Sequence, residues 1–215
     1  MDNLTEQLTS RREASRGRMD AATLDIVDGA TAEIAALHIS ENSLQVGDRA
    51  PEFRLPNPQG DLVSLTEMLE RGPVVVTFYR GGWCPYCNLQ LRAYARAQDE
   101  FEALSATVIA ISPETPTYAE RTSLENEISF PVLSDVGNAV ARDFGLVFTM
   151  PRELWPLYEQ WGIDVVAHNG DDRHELPVPG TFVISTDGIV TWRFVDPDYT
   201  KRAEISDILE ALRLG

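Results

Sequence analysis

Apolar residues fill both alternating faces of Val74-Val75-Val76-Thr77-Phe78-Tyr79, the pattern of a strand buried in a parallel sheet with helices on both sides. Just downstream the period changes. Leu91, Tyr94, Ala97, Phe101 and Leu104 recur every three or four residues and predict one helix with a single apolar face. Pro85 suits the first turn of that helix, which therefore starts close behind the strand. Thr107 to Ser112 predicts a second buried strand, Thr117 to Asn126 a helix, and Phe130-Pro131-Val132-Leu133 a short third strand. Asn138 to Phe144 predicts a short helix closed by Gly145. Regularity then lapses from Val147 to Glu175, a stretch read as an insert at about 147–175, partly helical around Arg152 to Trp161 despite Pro156. The pattern resumes with Thr181 to Ser185, an Asp187-Gly188 turn and Ile189 to Phe194, which predict a hairpin. Ile205, Ile208, Leu209 and Leu212 predict a closing helix.

Upstream, residues 1–43 carry helical spacing in Ala21 to Val27 and Ile34 to Leu37 and predict a helical N-terminal extension. The texture changes at Gly47-Asp48-Arg49-Ala50-Pro51. Phe53-Arg54-Leu55 and Leu62-Val63-Ser64-Leu65, joined through Asn57-Pro58-Gln59-Gly60, predict a small hairpin. The expected organisation is an extension over 1–43 and one domain over 44–215, of α/β class, with a central mixed β-sheet flanked by helices.

Composition narrows the function. With 18 Lys and Arg against 34 Asp and Glu, the net charge of -16 repels phosphate backbones and excludes nucleic acid as an expected partner. No apolar run reaches the roughly 18 residues of a membrane helix, and the polar start has no hydrophobic segment of a signal peptide, so the expected location is cytoplasmic. Thiols stay reduced there, which favours a catalytic use of the only two cysteines over a structural one. A zinc site is not expected, because His38, His168 and His174 have no useful spacing to the cysteines. The cluster His168 to Glu175 is read as a solvated loop, and Trp155 and Trp161 as packing of the insert or lining of a surface.

The candidate chemistry is Cys84-Pro85-Tyr86-Cys87, directly after the buried strand. Thiols at helix starts or in such two-cysteine motifs are acidified, and two residues of separation let the pair close a disulfide. The position at the helix start predicts Cys84, open to solvent, as the attacking thiol and Cys87 as the resolving one. Trp83, beside the thiol, is expected to shape access. Two buried thiols on one helix turn are the plain structural alternative.

Trp83-Cys84-Pro85-Tyr86-Cys87 after such a strand resembles the active site of the thioredoxin fold. Val178-Pro179-Gly180-Thr181 is similar to the segment where thioredoxin-like proteins place a cis-proline, which implies Pro179 opposite Cys84. Phe78 to Tyr94, with Ala50-Pro51-Glu52-Phe53, resembles more closely the peroxiredoxin-like proteins of the alkyl hydroperoxide reductase and thiol-specific antioxidant family, over roughly residues 44 to 213. That family's motif is a proline, three residues, a threonine or serine, two residues and the peroxide-attacking cysteine. Laid on this chain, the cysteine falls on Cys87, the threonine position on Cys84 and the proline position on Arg80. The family's peroxide-polarising arginine falls near Pro179, where no arginine stands, leaving Arg80, Arg152 or Arg193 as substitutes.

The resemblance implies a thiol-dependent enzyme that reduces hydroperoxides, with a thioredoxin- or glutathione-type thiol donor, no bound cofactor and, by analogy, a homodimer. A protein disulfide reductase using the same pair and a non-catalytic redox sensor are the competing readings. Which sulfur attacks first stays open between the thioredoxin and peroxiredoxin patterns.

Overall fold

The computed structural model describes residues 3–214. Three helices come first: α1 (Leu4–Arg16), α2 (Ala21–Ala35) and α3 (Ile39–Asn42). The hairpin of β1 (Arg54–Pro56) and β2 (Leu62–Ser64) and the short α4 (Leu65–Leu69) lead into β3 (Val74–Phe78). Then follow α5 (Pro85–Arg96), α6 (Gln98–Ala103), β4 (Thr107–Ser112), α7 (Pro116–Glu125), β5 (Val132–Ser134) and α8 (Ala139–Asp143). The remainder is β6 (Val147–Thr149), a 3-10 turn (Arg152–Leu154), α9 (Trp155–Gln160), α10 (Val165–Asn169), β7 (Glu175–Pro177), β8 (Gly180–Ile184), β9 (Val190–Val195) and α11 (Ile205–Leu214).

The central sheet has five strands in the order β5-β4-β3-β8-β9. β3 runs parallel to β4 and antiparallel to β8, so the sheet is mixed, as the alternation of elements predicts. Its two faces explain the unbroken apolar run of β3. Val74, Val76 and Phe78 join Ile109, Ile111, Phe182 and Ile184 in one core, whereas Val75 and Tyr79 join Val108, Ala110 and Val183 in the other. The first core is closed by residues of α2, α4, α8 and α9, the second by residues of α1, α5, α6 and α11.

The single helix predicted from Pro85 to Leu104 is two. The chain breaks at Ala97, whose N–H is shared between Ala93 O at 3.2 Å and Tyr94 O at 3.1 Å, a bifurcated pair that tightens the turn. Leu91, Tyr94, Ala97 and Phe101 nevertheless stay buried in one core, so the apolar spacing reported the face and not the break. Between residues 147 and 175 the structure is more regular than the sequence pattern. β6 and β7 pair antiparallel, Val147 with Pro177, and bracket α9 and α10. Pro156 does not interrupt α9, because it occupies the first turn, where no helical N–H is needed.

α1 is fastened at both ends. Asn3 and Glu6 form a reciprocal capping box, Leu4 N–H donates to Glu204 at 3.3 Å, and Arg16 holds Asp28 of α2 through two contacts of 2.6 and 2.8 Å. Leu4 and Leu8 anchor it in the second core, at roughly 1.5–3 kcal/mol for each side chain. Among the described residues, no helix is long and apolar enough to cross a membrane.

Candidate active site

β3 delivers its last residue, Phe78, to the middle of the sheet, and Tyr79 to Trp83 turn the chain into α5. The turn depends on two glycines. Gly81 has φ +151°, and a Cβ there would stand 2.3 Å from Trp83 Nε1. A Cβ on Gly82 would stand 2.1 Å from Thr122 Oγ1. Cys84 N–H donates to Gly81 O at 3.0 Å, and Asn88 Nδ2 donates to Gly82 O at 2.8 Å. Cys84 is then the N-cap of α5 and Pro85 its first residue. The Cys84 side chain caps no helix amide, so the positive end of α5 stays open toward the thiols.

Both cysteines are free thiols, Cys84 2% and Cys87 0% exposed. The expectation of a solvent-open Cys84 is therefore corrected: Cys84 is buried as a member of the second core, with Trp83 packed against that cluster. Cys84 still lines the cleft at the surface, and Cys87 lies one turn deeper.

The partner of Cys87 is Arg202, whose Nη2 lies 3.2 Å from its Sγ. Arg202 is 5% exposed and held by its other two nitrogens: Nε donates to Gln90 Oε1 at 2.8 Å, and Nη1 to the Tyr199 and Lys201 carbonyls at 2.6 Å each. Gln90 in turn donates to Thr77 and Thr181 at 3.3 and 3.4 Å, which links the guanidinium to the centre of the sheet. No carboxylate of the described residues pairs with Arg202. A buried guanidinium without an acid stabilises a thiolate beside it.

The titration of the pair follows. Burial pushes the Cys87 thiol up, but a hydrogen bond from Cys84, the Arg202 guanidinium and the Arg80 backbone N–H and guanidinium outweigh it, so Cys87 titrates below the ordinary thiol range. Burial, the bond to Cys87 and the nearby negative charge hold the Cys84 thiol well above that range, against the smaller pull of Arg80 and Arg202.

Arg80 is 3% exposed and sits in an aromatic cage, its guanidinium carbon 5.0 Å from the Trp83 ring, 5.8 Å from Tyr158 and 4.7 Å from Tyr199. Nη2 donates to Tyr158 OH. Arg80 Nε and Trp83 Nε1 are buried without a hydrogen-bond partner among the described residues, two donors left open beside the thiols. A cleft of about 500 Å³ opens above, walled by Trp83, Tyr86, Tyr158, Trp161 and Tyr199; Arg11, Arg18 and Arg80 also line it, and no carboxylate does.

Pro179 lies in the residues leading into β8, as the sequence pattern places it, but not as a cis residue: every described peptide bond is trans. It lines a separate cavity of about 30 Å³ together with Arg80, rather than the cleft at Cys84. Arg152 is exposed and stacks 5.7 Å from Trp155, and Arg193 donates to the Ser40 and Leu44 carbonyls at 2.6 and 2.8 Å. Both are committed to these contacts, so of the three arginines named as substitutes Arg80 alone reaches the thiols. Arg202, Tyr199, Tyr158 and Gln90 are members that sequence reasoning missed. The cluster from His168 is not all solvated: His168 Nδ1 lies 2.8 Å from the buried Glu114, and the His168 ring stacks on Tyr118 at 3.8 Å. Among the described residues, no group of three or more His, Cys, Asp or Glu is placed to hold a metal ion.

The AhpC/TSA family model matches residues 46–193. Among curated proteins, the chain is similar to chloroplastic peroxiredoxin Q of Gentiana triflora, 31% identical over 57% of this chain and 58% of that protein. It is also similar to peroxiredoxin Bcp of Escherichia coli K12, 32% identical over 49% of this chain and 67% of that one. The matched stretch thus spans about three fifths to two thirds of the length of these relatives. Among solved structures, peroxidoxin BcpB from Mycobacterium tuberculosis superposes with a TM-score of 0.63 at 23% identity, covering 80% of this chain and 97% of that one. Plasmodium vivax 2-Cys peroxiredoxin superposes with a TM-score of 0.60 at 18% identity, covering 79% and 81%. These two carry the fold, thioredoxin-like with a central mixed sheet. On the match from residue 46 to 193, which takes in the two thiols and the strands that position them, the chain belongs to the AhpC/TSA family.

Proposed function

We propose that the chain is a thiol peroxidase in which Cys87 attacks the hydroperoxide and Cys84 resolves the product. The single observation that carries this is Arg202 Nη2 at 3.2 Å from Cys87 Sγ, a buried cation whose negative partner is the thiolate. The Cys87 sulfur attacks the near oxygen of ROOH, the O–O bond breaks, and Cys87 becomes a sulfenic acid while RO⁻ leaves and takes up a proton. Arg202 and Arg80 stabilise the charge as it moves from sulfur to the departing oxygen. The Cys84 thiol then attacks the sulfenic sulfur, releasing water and forming the Cys84–Cys87 disulfide. A thiol donor of the thioredoxin or glutathione type returns the pair to the dithiol. Attack at Cys84, the cleft-side sulfur, expels Cys87 as the better leaving group because its thiolate is already stabilised. This reverses the order expected from the helix start alone.

The reading includes the division into an extension over 1–43, a thioredoxin-like domain over 44–215 and an insert over 147–175. A pair that must be returned to the dithiol in each cycle suits a reducing compartment such as the cytoplasm. One observation favours a second reading, a disulfide reductase: Cys84, and not Cys87, lines the cleft. Stopped-flow consumption of a hydroperoxide with a regenerating dithiol separates them. The peroxidase reading expects many turnovers per chain; no more than one equivalent consumed, with rapid reduction of a model protein disulfide, would instead favour the reductase.

A further inference from the structure

The cleft above Cys84 has a charge that the rest of the molecule does not lead one to expect. In a chain of 18 basic and 34 acidic residues, it is lined by three arginines and no carboxylate. Arg11 and Arg18 come from α1 and the turn after it, outside the family match. Their neighbours behave differently. Arg12 pairs with Asp198 at 3.7 Å and Arg16 with Asp28 at 2.6 Å, whereas neither Arg11 nor Arg18 forms an ion pair with any described carboxylate. Nε of Arg11 is buried and has no hydrogen-bond partner among the described residues. The volume, about 500 Å³, suits a small organic molecule, and the walls of Trp83, Tyr158 and Trp161 suit an apolar body.

We propose that Arg11 and Arg18 are specificity residues that capture the carboxylate of a small organic reactant and hold its reacting end at the thiol pair. This rests on the thiol chemistry proposed above and deepens it. The carboxylate belongs either to an organic hydroperoxide or to a low-molecular-weight thiol donor. In the first case ROOH and the dithiol give ROH, water and the disulfide. In the second, two RSH reduce the disulfide to the dithiol and leave as RSSR.

Capture is tested apart from turnover by comparing iodoacetate with iodoacetamide, one anionic and one neutral, on the reduced full-length protein. The iodoacetate-to-iodoacetamide rate ratio should exceed that of the urea-unfolded chain. It should drop by roughly threefold to tenfold in the Arg11→Gln/Arg18→Gln variant, the scale of two partly exposed charges. Arg12→Gln, which removes one charge from α1, should keep the ratio, and Arg11→Lys/Arg18→Lys should restore most of it. An unchanged ratio in the double glutamine variant, or an equal fall in Arg12→Gln, would overturn the proposal. The source is then read from two arms: a carboxylate-bearing hydroperoxide against its methyl ester, and a carboxylate-bearing thiol against its ester on the oxidised protein. A preference for the acid that the double variant loses, in either arm, identifies the reactant, and no preference in both overturns the proposal. Should no hydroperoxide turn over at all, the peroxidase reading fails while the alkylation ratio and the thiol arm still decide this one.

Discussion

At position 202 a lysine keeps the charge and loses the geometry. Arg202 spends its fork on Gln90, on two carbonyls and on Cys87 at once, an arrangement that a single ammonium group does not reproduce. Arg202→Met is expected to slow the peroxide step by roughly 10²-fold, as for loss of one charge-stabilising donor, with Arg202→Lys recovering only part of it. Thiolate absorbance followed against pH should show the Cys87 titration moving up in both. Arg80 stands where the family motif has a proline, and the difference helps: a proline has no N–H, whereas the Arg80 backbone amide contributes to holding Cys87 ionised. Cys84 fills the threonine position and supplies a thiol hydrogen bond in place of a hydroxyl one.

The same titration links pH to stability. Cys87 titrates lower in the folded chain than the unfolded thiol at about 8.5, so its contribution grows as pH rises toward that value and is lost as pH falls through the folded value. Cys84, raised in the folded chain, contributes below the unfolded value and loses that contribution at high pH. Urea midpoints of the reduced wild type against Cys87→Ser across this range should diverge increasingly toward pH 8.5, and parallel curves would contradict the assignment.

The turn from β3 into α5 is the element on which the site depends. Thr122 Oγ1, which blocks any side chain at position 82, is itself held by Glu114 at 3.0 Å, and Glu114 also meets Tyr79 OH at 3.3 Å. Thr122 therefore has little room to yield, and Gly82→Ala is expected to destabilise by about 1–3 kcal/mol, seen as a lower urea midpoint. Much of this element was legible in the sequence. A both-face apolar run followed at once by a 3.6-residue period places a rare residue type, cysteine, at a helix start, and the structure puts the pair there. Arg202 was not legible. It stands 115 residues from Cys87 in a stretch between β9 and α11 that has no hydrophobic period, and periodicity locates faces rather than the loops that return to them. Tyr158 was hidden for the same reason, inside a segment read as irregular because its strands are three residues long. Pro179 was placed correctly ahead of β8, but a sequence carries no information on the isomer of its peptide bond.

Across the whole molecule, an acidic chain encloses a basic, largely buried centre: two buried arginines, two thiols and an aromatic cage, roofed in part by α1. Leu8 ties that roof to the second core, so Leu8→Ala is expected to lower stability by roughly 2–5 kcal/mol and to raise the alkylation rate of the thiols as α1 loosens. Cys84 borders the cleft whereas Cys87 is fully buried, so under the proposed mechanism local opening at the start of α5 is expected to admit the peroxide to Cys87. In the proposed mechanism Cys87, and not Cys84, meets the peroxide. Mass spectrometry of dimedone-trapped protein after one equivalent of hydrogen peroxide tests it most directly. A sulfenic acid adduct is expected on Cys87 in the Cys84→Ser variant, with little or none on Cys84 in Cys87→Ser. An adduct that forms faster on Cys84 would contradict it.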